Sequence, residues 1–182
     1  MKYNAECYMS KKKILHMGEP RIKFNQIETN ILSILDDTTE FKCWMNNNFI
    51  QLIISEDSMW GAFLFDNDII KDCPWLSSAQ LDRSLVQDDI TKFIKNMIDN
   101  NVYIWMNIEV KDIPAYGENM SFHDIFIYGY DENEEKMYVA DFIHGGHYQR
   151  FCRLSPAGGN DHYHLIRIIT SYQRQALMVT GM

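Results

Sequence analysis

Between Phe122 and Ile143 the chain carries two β-forming runs around a polar cluster, a pattern that leaves its side chains little freedom of placement. Residues 122–130 alternate and are rich in β-formers, 131–135 form a turn cluster, and 136–143 resume strand character with Met137, Tyr138 and Val139. In an antiparallel pair the residue numbers of partners have a constant sum. Pairing His123 with Asp141 therefore centres the turn on residue 132, one position from the middle of the polar cluster. Directly opposed side chains have Cβ atoms roughly 4.5–5.5 Å apart. The pattern thus predicts an imidazole and a carboxylate within hydrogen-bond reach, with Asp141 fixing the tautomer and orientation of His123.

Upstream, Cys43-Trp44-Met45 is followed by Phe49, Ile50, Ile53 and Ile54 at helical spacing. This predicts a helix with the thiol in or just before its first turn, where unpaired backbone N–H groups and the positive end of the dipole favour a thiolate. The same N–H groups would serve as an oxyanion hole. A buried packing cysteine is the competing reading, since free cysteine is among the most buried residue types. A nucleophile, a base and an orienter are a joint requirement on three residues. Cys43, His123 and Asp141 are accordingly the candidate catalytic residues, with Cys43 attacking a carbonyl.

The remaining pattern is mixed α and β. Residues 60–65 read as a short strand and 66–74 as an acidic loop containing Cys73. Asp72 beside Cys73 disfavours a thiolate there, so Cys73 is expected not to be catalytic. Ile90, Phe93, Ile94, Met97 and Ile98 form a helical stripe, with Asp88 and Asp89 at its start and Asn100-Asn101 at its end. Residues 102–110 read as a strand beside the hairpin, and 114–119 as a loop leading to His123. The expectation is one α+β domain over 1–182, with the nucleophile-bearing helix packed on an antiparallel sheet.

Composition narrows the classes of partner. A formal charge of −8 argues against nucleic acid, whose binding requires neutralised phosphates. No apolar run approaches the roughly 18–20 residues of a membrane span, and the first residues lack a signal-peptide core, so a cytoplasmic protein with no membrane partner is expected. The widely spaced Cys7, Cys43, Cys73 and Cys152 fit reduced thiols better than a disulfide framework. Lys11-Lys12-Lys13, with Arg21 and Lys23, reads as a solvated face, or else as a docking surface for an acidic carrier protein. His144, His147, His162 and His164 with Cys152 have spacings that suit a metal, but their glycine- and proline-rich context reads as turns and no metal is expected.

The segments Phe41-Lys-Cys-Trp-Met-Asn-Asn-Asn-Phe-Ile-Gln-Leu-Ile, Ser121-Phe-His-Asp-Ile-Phe-Ile-Tyr-Gly-Tyr-Asp and Met137-Tyr-Val-Ala-Asp-Phe together resemble the butirosin biosynthesis protein H family. The likeness is best over residues 40–145. From about residue 150 it ends, where a shift from lysine to arginine raises truncation relative to that family as a reading. The resemblance implies a papain-like fold related to C39-type peptidases and a Cys-His-Asp triad of Cys43, His123 and Asp141. It also implies an acyltransferase of specialised metabolism that moves an acyl group from a carrier-protein thioester to a small-molecule amine. The phosphopantetheine arm would arrive on an acyl or peptidyl carrier protein, and no other cofactor is expected. Asp37 stands where papain-like proteases have a glutamine for the oxyanion hole. A peptidase or thioesterase using the same triad, and a noncatalytic binding remnant of the fold, are the alternatives.

Overall fold

The computed structural model describes residues 11–23, 25–35, 39–48, 52–54, 63–65, 68–82, 86, 89–111, 116, 122–143, 146–152 and 165–171. The chain is mixed α and β and divides into two compact units, Met1–Leu15 with Gln80–Ile168 and His16–Ala79 with Ile169–Met182. Its elements in order are β1 (Lys12–Ile14), α1 (Gln26–Ile34), α2 (Thr39–Asn48), β2 (Leu52–Ile54), β3 (Phe63–Phe65), α3 (Ile69–Asp72), β4 (Leu76–Asp82), α4 (Ile90–Asp99), β5 (Val102–Glu109), β6 (Phe122–Asp131), β7 (Lys136–Ile143), β8 (His147–Cys152) and β9 (Leu165–Ser171).

The main sheet's path runs β4-β9-β5-β6-β7-β8, with β1 also pairing to β6, and of these strands β1, β5, β6, β7 and β8 belong entirely to the first unit. Strands β1, β5, β6, β7 and β8 are joined by antiparallel ladders. The expected hairpin is present as β6 and β7, and the run from Val102 pairs beside it as β5. Alternation sorts the side chains cleanly. Ile104, Met106 and Ile108 share a face with His123, Ile125 and Ile127, and β7 adds Val139, Asp141 and Ile143. All of these except His123 are buried, so this is the core face.

Helix α4 forms as its stripe and caps predict. Asp89 accepts a hydrogen bond from the Thr91 N–H at 2.8 Å, and Asn100 caps the far end, where its N–H reaches back to the last-turn carbonyls. Asn101 follows at φ 62°, the left-handed position that ends many helices and that asparagine tolerates. The helix buries Ile94 and Ile98 and ends beside the core face, where Tyr130 donates to the Asp99 carboxylate at 2.8 Å.

The three consecutive lysines belong to this unit's own framework. Lys13 donates to the Asp99 carbonyl at 2.7 Å, Lys12 pairs with the buried carboxylate of Asp131 at 3.0 Å, and Lys11 pairs with Asp99. Lys11 and Lys12 are exposed, as a solvated face requires, and the three lysines also clip β1 to the end of α4 and to β6. The cause is that α4's last turn carries no basic residue of its own, so cations from β1 meet its exposed carbonyl end.

Strand β1 crosses β6 at Gly129, where an added Cβ would lie 2.7 Å from the Lys13 carbonyl oxygen and 3.0 Å from the Ile14 Cα. Only glycine permits that approach.

In the second unit, α1 is capped by Asn25, whose side chain accepts from the Ile27 N–H at 2.8 Å. Its buried residues include polar Thr29, Asn30 and Ser33 beside Ile31, Leu32 and Ile34. Thr29 donates to the Ile22 carbonyl and Ser33 to the Thr29 carbonyl, so burial leaves these hydroxyls partnered. The stretch expected as an acidic loop contains α3, whose cap Asp68 accepts from the N–H groups of Ile70 and Lys71. Strands β2 and β3 form a separate antiparallel pair. Among the described residues no helix is long and apolar enough to cross a membrane.

Candidate functional site

His123 and Asp141 meet. The Nε2 of His123 lies 3.0 Å from Oδ1 of Asp141, the carboxylate fully buried and the imidazole 24% exposed. The register that joins them differs from direct opposition. The ladder sets Phe126 against Ala140 and Ile127 against Val139, and past a bulge at Ile127/Gly129 it shifts by one. Continued toward the strand ends, the first of these registers sets Asp141 against Ile125, two residues from His123. The pair is therefore diagonal. An offset of two preserves the face, and diagonal neighbours remain within reach of long side chains.

Asp141 is held by more than the imidazole. Its Oδ1 also accepts from the Phe142 N–H at 2.6 Å, and its Oδ2 accepts from the Tyr116 hydroxyl at 2.6 Å. The Tyr116 ring lies against His123, with centroids 5.2 Å apart and planes at 53°. Tyr116 is the residue that sequence reasoning missed. A single tyrosine outside any periodic run of the sequence has nothing to betray it, and its sequence neighbours Ala115 and Gly117 carry no chemistry.

The electrostatics follow from these contacts. Burial alone would lower the His123 pKa, but the hydrogen bond and charge of Asp141, with the charge of Asp124, outweigh it and leave the pKa above its ordinary value. Burial, together with the charge and hydrogen bond of Asp141, drives the Tyr116 phenol well above the usual tyrosine range, so it stays a donor. Asp124 points from the opposite face and accepts from the Asn107 amide at 2.9 Å.

Cys43 lies in the second unit, as an exposed free thiol on α2. It is not in the first turn. The helix starts at Thr39, which puts Cys43 past the N–H groups that a helix start leaves unpaired. Its own N–H is thus committed to the helix ladder, and the oxyanion donors expected at Cys43 lie about a turn upstream. Nor does the helix continue through Ile54: it stops at Asn48, and Leu52–Ile54 forms β2. Three consecutive asparagines, weak helix formers that compete for backbone hydrogen bonds, close α2. The β-branched run that follows favours a strand. Phe49 and Ile50 lie outside the described residues. What anchors α2 is aromatic: buried Phe41 stacks on Trp44 at 6.1 Å and meets the edge of Trp75 at 6.1 Å, with Trp44 and Trp75 6.0 Å apart.

Cys73 is buried at the end of α3, and its thiol is pushed up to about 11. The cause is burial rather than the Asp72 charge expected to act there. Cys7 lies outside the described residues, as do His144, His162 and His164. His147 opens β8 and is exposed, and Cys152 closes that strand. Among the described residues no group of His, Cys, Asp and Glu is arranged to hold a metal.

No protein-family model matches the chain, and no curated protein or solved structure is similar enough to count as a match. The likeness to the butirosin biosynthesis protein H family therefore stands on the quoted segments alone.

Proposed function

We propose that the chain is a papain-like cysteine acyltransferase in which Cys43 is the nucleophile, His123 the base and Asp141 its orienter. The observation that carries the reading is the buried Asp141 carboxylate gripping a partly exposed imidazole at 3.0 Å. A fully buried carboxylate spent on a surface-reaching histidine is an arrangement suited to proton transfer, and the hydrogen bond and charge of Asp141, which raise the His123 pKa, favour the imidazolium that forms when His123 accepts a proton. The exposed thiol of Cys43 supplies a reachable nucleophile.

The Cys43 thiolate attacks the carbonyl of a carrier-bound thioester, forming a new carbon–sulfur bond. The carrier's thiol departs, taking the proton that His123 accepted from Cys43. An amine then attacks the acyl-enzyme, gives its proton to His123 and leaves as an amide, and Cys43 is regenerated. No oxidant or reductant enters. The donor is an acyl or peptidyl carrier protein bearing a phosphopantetheine arm, and the acceptor a small-molecule amine.

Intact mass after incubation with a panel of acyl thioesters tests this. An acyl adduct that maps to Cys43, persists without amine and discharges to an amide when amine is added is the expected result. Discharge to free acid regardless of amine would make the enzyme a hydrolase. Absence of any adduct across the panel would overturn the acyl-enzyme.

A further inference from the structure

We infer that Tyr116 is the positioning residue of the dyad: by donating to Oδ2 of Asp141 it directs Oδ1 to His123 and fixes the imidazole as the Nε2–H tautomer, which makes Nδ1 the working nitrogen. The geometry leaves few alternatives. Asp141 is fully buried and accepts from three donors: the Tyr116 hydroxyl at 2.6 Å, the Phe142 N–H at 2.6 Å and His123 Nε2 at 3.0 Å. A carboxylate so placed repels an imidazole lone pair, so Nε2 must carry hydrogen. Without the phenol, the buried carboxylate loses the donor at Oδ2 while the Phe142 N–H still holds Oδ1, so its aim at His123 is less closely fixed. Because Tyr116 keeps its proton at any working pH, its hydroxyl acts only as a donor to Asp141.

The other groups that face His123 do not substitute for it. Asp124 lies on the opposite face, engaged with Asn107. Ile108 is the β5 neighbour, and on β8 the register brings Gln149 opposite Asp141 and His147 opposite Ile143, one strand beyond. Tyr116 also covers one side of the imidazole with its ring.

The role rests on His123 being the base, but its test needs no substrate. The full chain labelled with 15N-histidine is followed by two-bond proton–nitrogen correlation across pH, with the His123 signal identified by its loss in His123→Asn. Wild type is expected to show Nε2–H when neutral. Tyr116→Phe keeps the ring and removes the donor. It should mix the tautomers and lower the His123 midpoint by about half a unit, because a carboxylate less well aimed at the imidazole stabilises its charged form less. A merely structural tyrosine would change the melting temperature and leave tautomer and midpoint alone, which overturns the inference. If Tyr116→Phe does not fold, the wild-type tautomer decides, since Nδ1–H in the neutral state is incompatible with the role. A chain that shows these shifts yet forms no acyl adduct loses the proposed function and keeps the Tyr116 assignment.

Discussion

The dyad and the candidate nucleophile are held in different ways. His123 and Asp141 stand on paired strands, among side chains that are almost all buried, and Asp141 is gripped from three directions. Cys43 stands on a ten-residue helix in which Phe41 alone is buried, so one aromatic cluster carries its attachment. A ladder distributes a local error over many hydrogen bonds. A helix held chiefly by one aromatic cluster concentrates it.

The severest way to break this contrast is to show that the two regions act as one. Cys43→Ala and His123→Ala should each lower acyl transfer by on the order of 10³-fold or more, and the double variant should be little worse than either, since nucleophile and base work as a unit. Multiplicative losses in steady-state rates would separate them. Phe41→Ala comes next: it should cost about 3–5 kcal/mol in urea unfolding and loosen α2, as truncation of a buried aromatic does. A cost below about 1 kcal/mol would show that Phe41 is not the anchor. Gly129→Ala tests the sheet side, where a methyl group meets backbone. A loss of about 1–3 kcal/mol is expected by the same unfolding measurement.

A fourth prediction concerns pH. His123 has its folded-state pKa above its ordinary 6.5. The dyad's contribution to stability is therefore complete below that value and fades as pH rises through the folded-state pKa. In Asp141→Asn this component should disappear, flattening the stability–pH curve on the alkaline side of 6.5. A curve with unchanged slope would remove the ion pair from the account. Asp141→Asn should also cost less transfer activity than either Ala variant, because an amide still orients the ring. The smallest effect is expected at Cys73→Ser, within a few-fold of wild type. In iodoacetamide labelling of the folded chain Cys43 should react and Cys73 should not, its thiol being buried and pushed up to about 11.

Strand period explains why the hairpin was legible. Centring the turn on residue 132 put His123 opposite Asp141, and the observed register sets them diagonally, but an offset of two leaves both on one face. The caps of α4 were equally readable because Asp89 and Asn100 act through their own side chains and backbone. The cysteine segment failed for a corresponding reason. A short apolar run such as Ile50–Ile54 fits helix and strand alike, and the break depends on the asparagines before it. Tyr116 gave no signal because its role comes from tertiary placement. Helix α1 was not read because its buried face includes Thr29, Asn30 and Ser33, which blur the apolar stripe.

The crossing at Gly129 also bears on the order in which the molecule is assembled. Pairing of β1 with β6 joins Ile14 to Gly129, whereas β5, β6 and β7 follow one another along the chain. Neighbouring strands close small loops and form early, and the β1 contact closes a loop that costs more entropy to bring together. On the ribosome β1 is made first and must wait, unpaired, until β6 has been synthesised. Two of its three residues are lysines, charges that discourage a waiting strand edge from pairing with another nascent chain. Once β6 arrives, the same lysines find Asp131 and the end of α4, so the groups that guard the strand during synthesis become the ones that fasten it afterwards.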